Sequence, residues 1–367
     1  MTASKKIISM AVITIMVISA AALVFPDQTD AASAITVTDG MGEEFTFDDE
    51  PAHVITVGVG ITATVIQLGA LDKIVVADNY SYTNSDPIFD GLRANVDADK
   101  ARAGGTIYSS KVEQLKKDIV YATDNDKFNK ETDPVILTGG NSYLTPIISD
   151  LESYGFKKVM AWNDITEYDK IADFVSTISK ILDGKESDKV EQMKHVSEVI
   201  ADGVKDKPPR EAFYVTYSGG VFKVGNTNSL ANSMITAAGG KSITTDDDKA
   251  KPTYEANLTL LLTDHPDAVI FIDNTINSNA ANKELLKEKI GAAAFEKVVP
   301  LNPLWNNYSV ESMTGVWTMA CAMYPDTFEG DVPTVEDSKD NTKLYIAIGG
   351  VAAVVIVVAG LLFLRKR

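Results

Sequence analysis

What the chain lacks limits the chemistry that it can perform. Cys321 is the only cysteine in 367 residues, so an intrachain disulfide and a cysteine-ligated zinc or iron–sulfur site are excluded. His53, His195 and His265 do not cluster, which argues against direct capture of a bare metal ion. The sequence contains no Walker loop and no evident Ser-His-Asp constellation. We therefore expect neither an enzyme nor a resident cofactor.

Arginine is scarce as well. Between residues 35 and 364 the only arginines are Arg93, Arg102 and Arg210. The formal net charge is -17, the first 34 residues are neutral overall, and the basic tail 365–367 contributes three positive charges. The stretch between these ends therefore carries a charge of -20. This acidity excludes non-specific binding of nucleic acid, which needs a basic face, and disfavours a polyanionic ligand.

The N-terminus has the pattern of a secretory signal peptide. Lys5 and Lys6 precede an apolar run at residues 7–25, and Ala32-Ser33-Ala34 forms a small-residue cleavage site. The pattern predicts a signal peptide over residues 1–34, with an uncleaved anchor as the alternative. No cysteine follows the run, so a lipid-modified N-terminal cysteine is excluded.

The C-terminus has the pattern of a membrane anchor. Residues 344–364 carry no charge and are long enough, as a helix, to span a hydrocarbon core of about 30 Å. The basic residues 365–367 that follow predict a cytoplasmic C-terminus. Residues 329–343 are acidic and polar and are predicted to form an exposed tether. We therefore expect a single-pass protein of the cell membrane with an extracellular ectodomain.

Hydrophobic runs between these ends predict an α/β fold. Segments 35–38 and 44–47 alternate in polarity, as in a hairpin. Strands alternating with helices indicate parallel pairing in doubly wound sheets. The predicted first-half strands cover residues 54–59, 74–77, 119–122, 135–138 and 158–162; the second-half strands cover 212–217, 221–224, 268–272 and 297–301.

A helical segment separates the two halves. Apolar residues recur at helical spacing before and after Gly184. The segment is therefore predicted to be one long or slightly broken helix that acts as a rigid connector. The predicted division is an N-terminal lobe at residues 35–164, a connector helix at 165–205 and a C-terminal lobe at 206–328.

Several short motifs share an order and spacing with one family. They are Ile35-Thr36-Val37-Thr38-Asp39, residues 51–57, Leu68-Gly69-Ala70, Gly104-Gly105 followed by Val112-Glu113-Gln114-Leu115, and Ala238-Gly239-Gly240. Over residues 35–328 the chain resembles the substrate-binding proteins of ABC importers for iron complexes, haem and corrinoids. The resemblance implies two α/β lobes joined by a long helix, a small-molecule metal complex as ligand, and an ABC permease and ATPase as partners. A C-terminal anchor on such a protein resembles archaeal usage.

The chain departs from this family at two positions. The family commonly has a glutamate on each lobe that meets arginines of the permease. The corresponding positions hold Ala63 and Ser233. Loss of both carboxylates puts the usual docking in doubt, and it motivates an alternative function as a surface receptor or scaffold that no longer serves transport.

Aromatic and amide side chains are frequent in the loops that follow the predicted strands. Ligands of open α/β sheets bind beyond the carboxyl ends of the strands, where flat rings offer apolar area and amides orient polar edges. Packing on their own lobe is the alternative for each residue. The candidates are Tyr80, Tyr82, Arg102, Tyr108, Tyr143, Trp162, Tyr217, Asn228, Trp305 and Tyr308. Sequons at Asn79, Asn257 and Asn307 could carry glycans.

Overall fold

The computed structural model describes residues 34–163, 165–244 and 251–335, with only the backbone of Ser109. The mixed α/β architecture with parallel sheets predicted from the sequence is confirmed in these residues. The predicted signal peptide and the predicted span at 344–364 lie outside them. None of the helices in the described ranges is long and apolar enough to cross a membrane.

The N-terminal lobe contains a hairpin and a four-stranded parallel sheet. The hairpin pairs β1 (Ile35–Thr38) with β2 (Glu44–Phe47). The sheet has the order β4-β3-β5-β6, with β3 at Val54–Val57, β4 at Ile74–Ala77, β5 at Val135–Thr138 and β6 at Val159–Trp162. The lobe's helices are α1 (Val59–Gln67), α2 (Asn79–Thr83), α3 (Asp90–Asp97), α4 (Val112–Asp124) and α5 (Asn141–Ser153).

The predicted strand at residues 119–122 is wrong, because these residues belong to α4. Leu115, Ile119 and Ala122 are buried in α4, whereas Val120 is 47% exposed. That spacing is the period of a helix and not the alternation of a strand. The short apolar run was compatible with either element in the sequence, and packing of one face of α4 on the sheet decides between them.

The C-terminal lobe contains a mixed sheet. Its order is β10-β8-β7-β11-β12, with β9 paired to β7. The strands are β7 (Arg210–Ser218), β8 (Val221–Gly225), β9 (Gly240–Ser242), β10 (Thr253–Glu255), β11 (Val269–Ile272) and β12 (Val298–Pro300). The helices are α8 (Leu230–Ala237), α9 (Leu258–Asp264), α10 (Asn274–Asn277), α11 (Ala280–Ile290), α12 (Ala292–Phe295) and α13 (Ser312–Met323).

The connector is two helices and not one. The helix α6 covers Asp169–Asp183 and α7 covers Asp188–Val204, and Gly184 between them has a left-handed φ of 68°. Glu186 Oε2 accepts a hydrogen bond from Ser176 Oγ at 2.5 Å, although ten residues of continuous helix would separate their backbones by about 15 Å. The chain therefore turns back on itself at Gly184, the residue type that most readily ends a helix in this conformation.

The two connector helices join the lobes through a shared core. The helix α6 packs on β1 and α1 in the N-terminal lobe, and α7 packs on α8 and α13 in the C-terminal lobe. One continuous hydrophobic cluster includes Val54 from the first sheet, Phe174 from α6, Val196 from α7 and Met234 from α8. Each sheet also has a separate cluster on its other face.

The predicted tether begins with seven described residues, of which 329–331 and 334 are exposed as expected. Residues 329–335, here called the strap, are folded against the connector. Trp317 Nε1 donates to Gly330 O at 3.1 Å, and Val335 N donates to Gln192 Oε1 at 3.2 Å. The side-chain amide of Gln192 also donates to Pro333 O, so it binds the strap backbone with both its donor and its acceptor. Pro333 itself is buried.

Candidate functional site

The lobes contact each other along α1. Gly60 lies so close to the C-terminal lobe that a Cβ atom there would stand 2.9 Å from both N and O of Tyr308. Thr64 Oγ1 donates to Tyr308 O at 3.1 Å, and Gln67 Nε2 donates to Glu311 Oε1 at 3.3 Å. The first two turns of α1 therefore form a direct contact between the lobes.

Three tyrosines form a contiguous surface at the carboxyl edge of the N-terminal sheet. Tyr80 lies in the first turn of α2, directly after β4, and Tyr143 lies in the first turn of α5, directly after β5. Tyr108 lies between them, with ring centroids 6.4 Å from Tyr80 and 5.0 Å from Tyr143. Tyr80 is 51% exposed and Tyr143 is 48% exposed. These three residues are called the tyrosine ledge.

Asp78 holds the ledge in position from below. Its carboxylate accepts hydrogen bonds from Gly58 N at 3.3 Å and Tyr80 N at 3.0 Å, and also from the backbone and hydroxyl of Ser81. It therefore caps α2 and ties the end of β4 to the end of β3. Burial raises the pKa of this carboxyl, against the lowering effect of its four donors. These donors occupy the carboxylate oxygens of Asp78. We therefore infer that Asp78 positions Tyr80 and does not itself contact a ligand.

The carboxyl edge of the C-terminal sheet is polar. Thr216 Oγ1 donates to Asp273 Oδ2 at 2.8 Å. Tyr214 is buried beside them, and its hydroxyl lies against both Asp273 and Asn306. Burial, followed by the neighbouring Asp273 carboxylate, raises the pKa of Tyr214 far above its ordinary value, so the phenol stays protonated and can donate. Tyr214, Thr216, Asp273 and Asn306 are called the polar edge.

A short chain of contacts connects the ledge to the polar edge. Asp78, which caps the helix of Tyr80, accepts from Gly58 at the start of α1. Gly60, two residues further on, lies against Asn307 Oδ1, and Asn307 follows Asn306 of the polar edge. The two carboxyl edges therefore meet beside the first turn of α1, the position where ligands of such sheets bind.

The other sequence candidates in the N-terminal lobe lie away from the ledge. Tyr82 is turned toward α3, where its hydroxyl is 3.4 Å from Asp97 Oδ1. The Arg102 guanidinium stacks on Tyr121, 3.8 Å from the ring centroid, and pairs with Asp99 at 3.4 Å. Trp162 is 6% exposed and packs edge-on against Phe174. Trp162 therefore packs between β6 and the connector helix α6.

The candidates in the C-terminal lobe divide between the lobe contact and local packing. Tyr308 lies in the contact with α1, and Trp305 packs against α13 beside Gly315. Tyr217 pairs with Phe222 at 4.9 Å, on the face of β7 opposite to Tyr214 and Thr216. Asn228 lies in the loop before α8, which Ser229 caps by accepting from Asn232 N.

Sequence reasoning missed Asp78 and most of the polar edge. Asp78 and Asp273 each directly follow a buried strand and precede a short helix, so the capping pattern Asp-x-x after a strand was the available signal. Tyr214 sits in mid-strand and gave no signal, because its side chain reaches the edge only through the pairing of β7 with β11.

Ala63 and Ser233, the two positions where the resemblance predicts a glutamate, are both engaged in packing or hydrogen bonding. Ala63 is fully buried in α1. Ser233 Oγ accepts a hydrogen bond from Tyr168 N at 2.8 Å, where α6 meets α8. A carboxylate at position 63 would be a buried charge, which is costly unless it is paired. Of the sequons, Asn307 is packed at the lobe contact and Asn257 caps α9, while Asn79 is half-buried at the start of α2.

Two surface cavities lie elsewhere on the N-terminal lobe. One of 350 Å³ lies between Gly40 and α6 beside Trp162, and one of 410 Å³ lies along α4 beside Tyr121 and Tyr154. Within residues 34–163, 165–244 and 251–335, no three His, Cys, Asp or Glu side chains are grouped to hold a metal ion.

Comparison with known proteins identifies the fold. No family model matches the chain, and no curated protein matches its sequence. Among solved structures it is similar to CeuE of Helicobacter pylori with Ni(II) bound, with a TM-score of 0.57 and 15% identity over 80% of this chain and 90% of that one. The fold is therefore similar to that of two-lobe periplasmic binding proteins.

Two further structures agree with this. The periplasmic vitamin B12 binding protein BtuF of Vibrio cholerae matches with a TM-score of 0.53 and 16% identity, covering 75% of this chain and 97% of that one. A periplasmic heme binding protein from Pseudomonas aeruginosa matches with a TM-score of 0.54 and 16% identity, covering 77% and 96%. At such identities the likeness shows the fold, and ligand and partners must be argued from the residues.

Proposed function

We propose that this protein is a solute-binding protein that captures a small-molecule metal complex, an iron complex or a corrinoid, for an ABC importer. The observation that carries the proposal is that the carboxyl ends of both sheets lie beside the first turn of α1, one carrying the tyrosine ledge and the other the polar edge. Two half-exposed tyrosines in tilted and edge-on contact with a third form an apolar surface that water solvates poorly, and a bulky, partly apolar complex would cover it. The similar folds named for vitamin B12 and heme binding support the ligand class.

The proposed location is the outer face of the cell membrane. The signal pattern at residues 1–34 and the apolar span at 344–364 support an extracellular ectodomain held by one helix with a cytoplasmic C-terminus. The ATPase that drives import would then be a separate chain on the cytoplasmic side. A C-terminal anchor of this kind supports an archaeal-type arrangement.

A binding role fits the site better than catalysis does. Asp78 and Asp273, at the carboxyl edges of the two sheets, each accept hydrogen bonds from neighbouring donors, and the tyrosines of the ledge offer ring faces. The structures to which the chain is similar are named for what they bind.

A second candidate function is a surface receptor or scaffold that keeps the lobes without serving transport. The burial of Ala63 and the engagement of Ser233 with Tyr168 favour it, because neither position offers a carboxylate to a permease. A permease that binds this protein by another surface would restore the transport role.

Native mass spectrometry of the full-length chain, released from detergent micelles, tests the proposed function. We expect a co-purifying complex or, after its removal, saturable binding of cyanocobalamin, haemin or ferrioxamine B. Absence of binding by all three probes, with a folded protein, would support the receptor or scaffold. Pull-down of an ABC permease by the chain separates transport from simple capture.

A further inference from the structure

We propose that the cleft selects metal complexes that are neutral or positively charged and discriminates against anionic ones. This rests on the proposed function and names the charge class of its ligand. Complexes with free carboxylates or catecholates carry negative charge, and burying such a charge needs a cation with good geometry, for which arginine is best suited. The positions of the arginines in the described residues therefore indicate whether an anionic ligand could be neutralised in the cleft.

Two of the three arginines are already engaged. The Arg102 guanidinium stacks on Tyr121 of α4 at 3.8 Å and pairs with Asp99 at 3.4 Å. Arg93 pairs with Asp90 and donates to the backbone carbonyl of Asn84. Each would have to give up its partners to reach a ligand.

The third arginine is at the wrong end of its sheet. Arg210 is the first residue of β7, whereas the polar edge lies at the other end of this strand, with Thr216. Six residues of strand place the two about 20 Å apart. Arg210 therefore cannot contact a ligand that lies on the polar edge.

The groups that do face the cleft favour positive charge. Asp273 accepts from Thr216 and Thr275, and within the described residues no basic side chain pairs with its carboxylate. Asn306 Oδ1 is buried and has no hydrogen-bond donor in the described part of the chain. Tyrosine rings present a negative face, which attracts cations and repels anions.

Lysine offers the remaining source of positive charge near the cleft. Lys223 is paired with Thr216 across β7 and β8, and Lys111 follows Tyr108 by three residues and is exposed. Lys111 is exposed and Lys223 is half-buried, and a lysine side chain loses conformational freedom and hydration when it binds an anion. Their contribution is measurable by substitution and is included in the test.

A set of probes that differ in charge tests the proposal on the full-length chain. Ferrioxamine B is a cationic hydroxamate complex, ferrichrome is a neutral one, and ferric enterobactin is an anionic catecholate complex. Affinities measured by quenching of intrinsic fluorescence at low and moderate salt should favour ferrioxamine B and ferrichrome over ferric enterobactin by about tenfold or more. Cyanocobalamin and haemin provide the same contrast among macrocycles.

Asp273→Asn tests the source of the preference. Asparagine keeps an acceptor for the cap of α10 and removes the charge, so affinity for ferrioxamine B should fall by about threefold while that for ferrichrome stays constant. If ferric enterobactin or haemin bound most tightly, and this binding were lost in Lys111→Gln or Lys223→Gln, lysine would supply the positive charge for an anionic ligand. That result would overturn the proposed charge class and leave the binding function intact. Binding of no probe by the folded parent chain would instead overturn the proposed function, and this proposal with it.

Discussion

The two lobes differ in how their strands end, and this decides what each contributes to the cleft. In the N-terminal lobe β3, β4 and β5 are each followed closely by a helix, and the first turns of two of these helices carry Tyr80 and Tyr143. In the C-terminal lobe β7 runs instead into a hairpin with β8, so its edge carries strand side chains such as Thr216.

Similar lobes can therefore present different chemistry. A helix start after a parallel strand directs its first side chains over the edge of the sheet, where bulky rings can lie exposed. A strand that continues into a hairpin holds its side chains in the pleat, where polar groups are satisfied by neighbouring strands. The ledge and the polar edge follow from this difference.

The largest effect is expected where the lobes share their core. Phe174 is 1% exposed and packs against Trp162, so Phe174→Ala should lower the free energy of unfolding by about 3–5 kcal/mol. Because this cluster includes residues of both lobes, unfolding followed by circular dichroism should remain one transition. The matched control is Phe213→Ala in the cluster confined to the C-terminal lobe. Two separate transitions in the Phe174 variant would show that the lobes are independent.

The next effect concerns the ledge. Tyr108 contacts both other rings, so Tyr108→Ala should weaken cyanocobalamin binding by about thirtyfold, equivalent to about 2 kcal/mol. Tyr154→Ala is the control, since Tyr154 is 57% exposed and lies on the groove beside Tyr121. Arg102→Ala should leave this affinity unchanged. Equal affinities of the Tyr108 variant and the parent would place the ligand elsewhere.

A smaller effect is expected at the strap. Gln192→Ala removes both hydrogen bonds to the backbone of residues 333–335, at a cost of about 1–2 kcal/mol. In the parent chain, limited proteolysis should cut after residue 335 and spare residues 329–335. In the variant, cleavage within 329–335 should become faster. The control is Glu191→Ala, because Glu191 is an exposed neighbour on α7. If the strap of the parent chain were cleaved as fast as the strap of the Gln192 variant, the hydrogen bonds from Gln192 would not hold the strap on α7.

The smallest effect is the pH response of the connector turn. The hydrogen bond from Ser176, followed by that from Lys194, lowers the pKa of Glu186 from 4.5 to about 2. A lowered pKa in the folded state stabilises the protein above the unfolded value, and this stabilisation is lost as pH falls from about 4.5 through about 2. The side chain is 38% exposed, so solvent screening keeps the effect small.

Glu186→Gln provides the measurement for this turn. Its stability relative to the parent should be lowest at neutral pH, and the difference should shrink on acidification toward pH 2, as followed by urea unfolding. A difference that does not change with pH would mean that Glu186 stabilises the turn by packing alone.

The hydrophobic pattern was sufficient to predict most strands, because a buried parallel strand is a short continuous apolar run whatever its partners are. The strands β3, β4, β5, β7 and β8 lie within or close to their predicted bounds. The run at 119–122 failed because four apolar residues fit one turn of a buried helix equally well. By contrast, β9 (Gly-Lys-Ser) and β10 (Thr-Tyr-Glu) contain no apolar run that could be detected.

Local sequence therefore determined the alternation of strands and helices, the turn at Gly184, and the aromatic residues that follow β4 and β5. Only the tertiary structure decided which of these side chains meet. Tyr80, Tyr108 and Tyr143 are separated by up to 63 positions in the chain and come together because β3, β4 and β5 are parallel neighbours. Tryptophan and arginine often contact ligands, but in this structure Trp162 packs against Phe174 and Arg102 stacks on Tyr121. The fate of a side chain depends on what lies across from it, and sequence spacing alone does not contain that information.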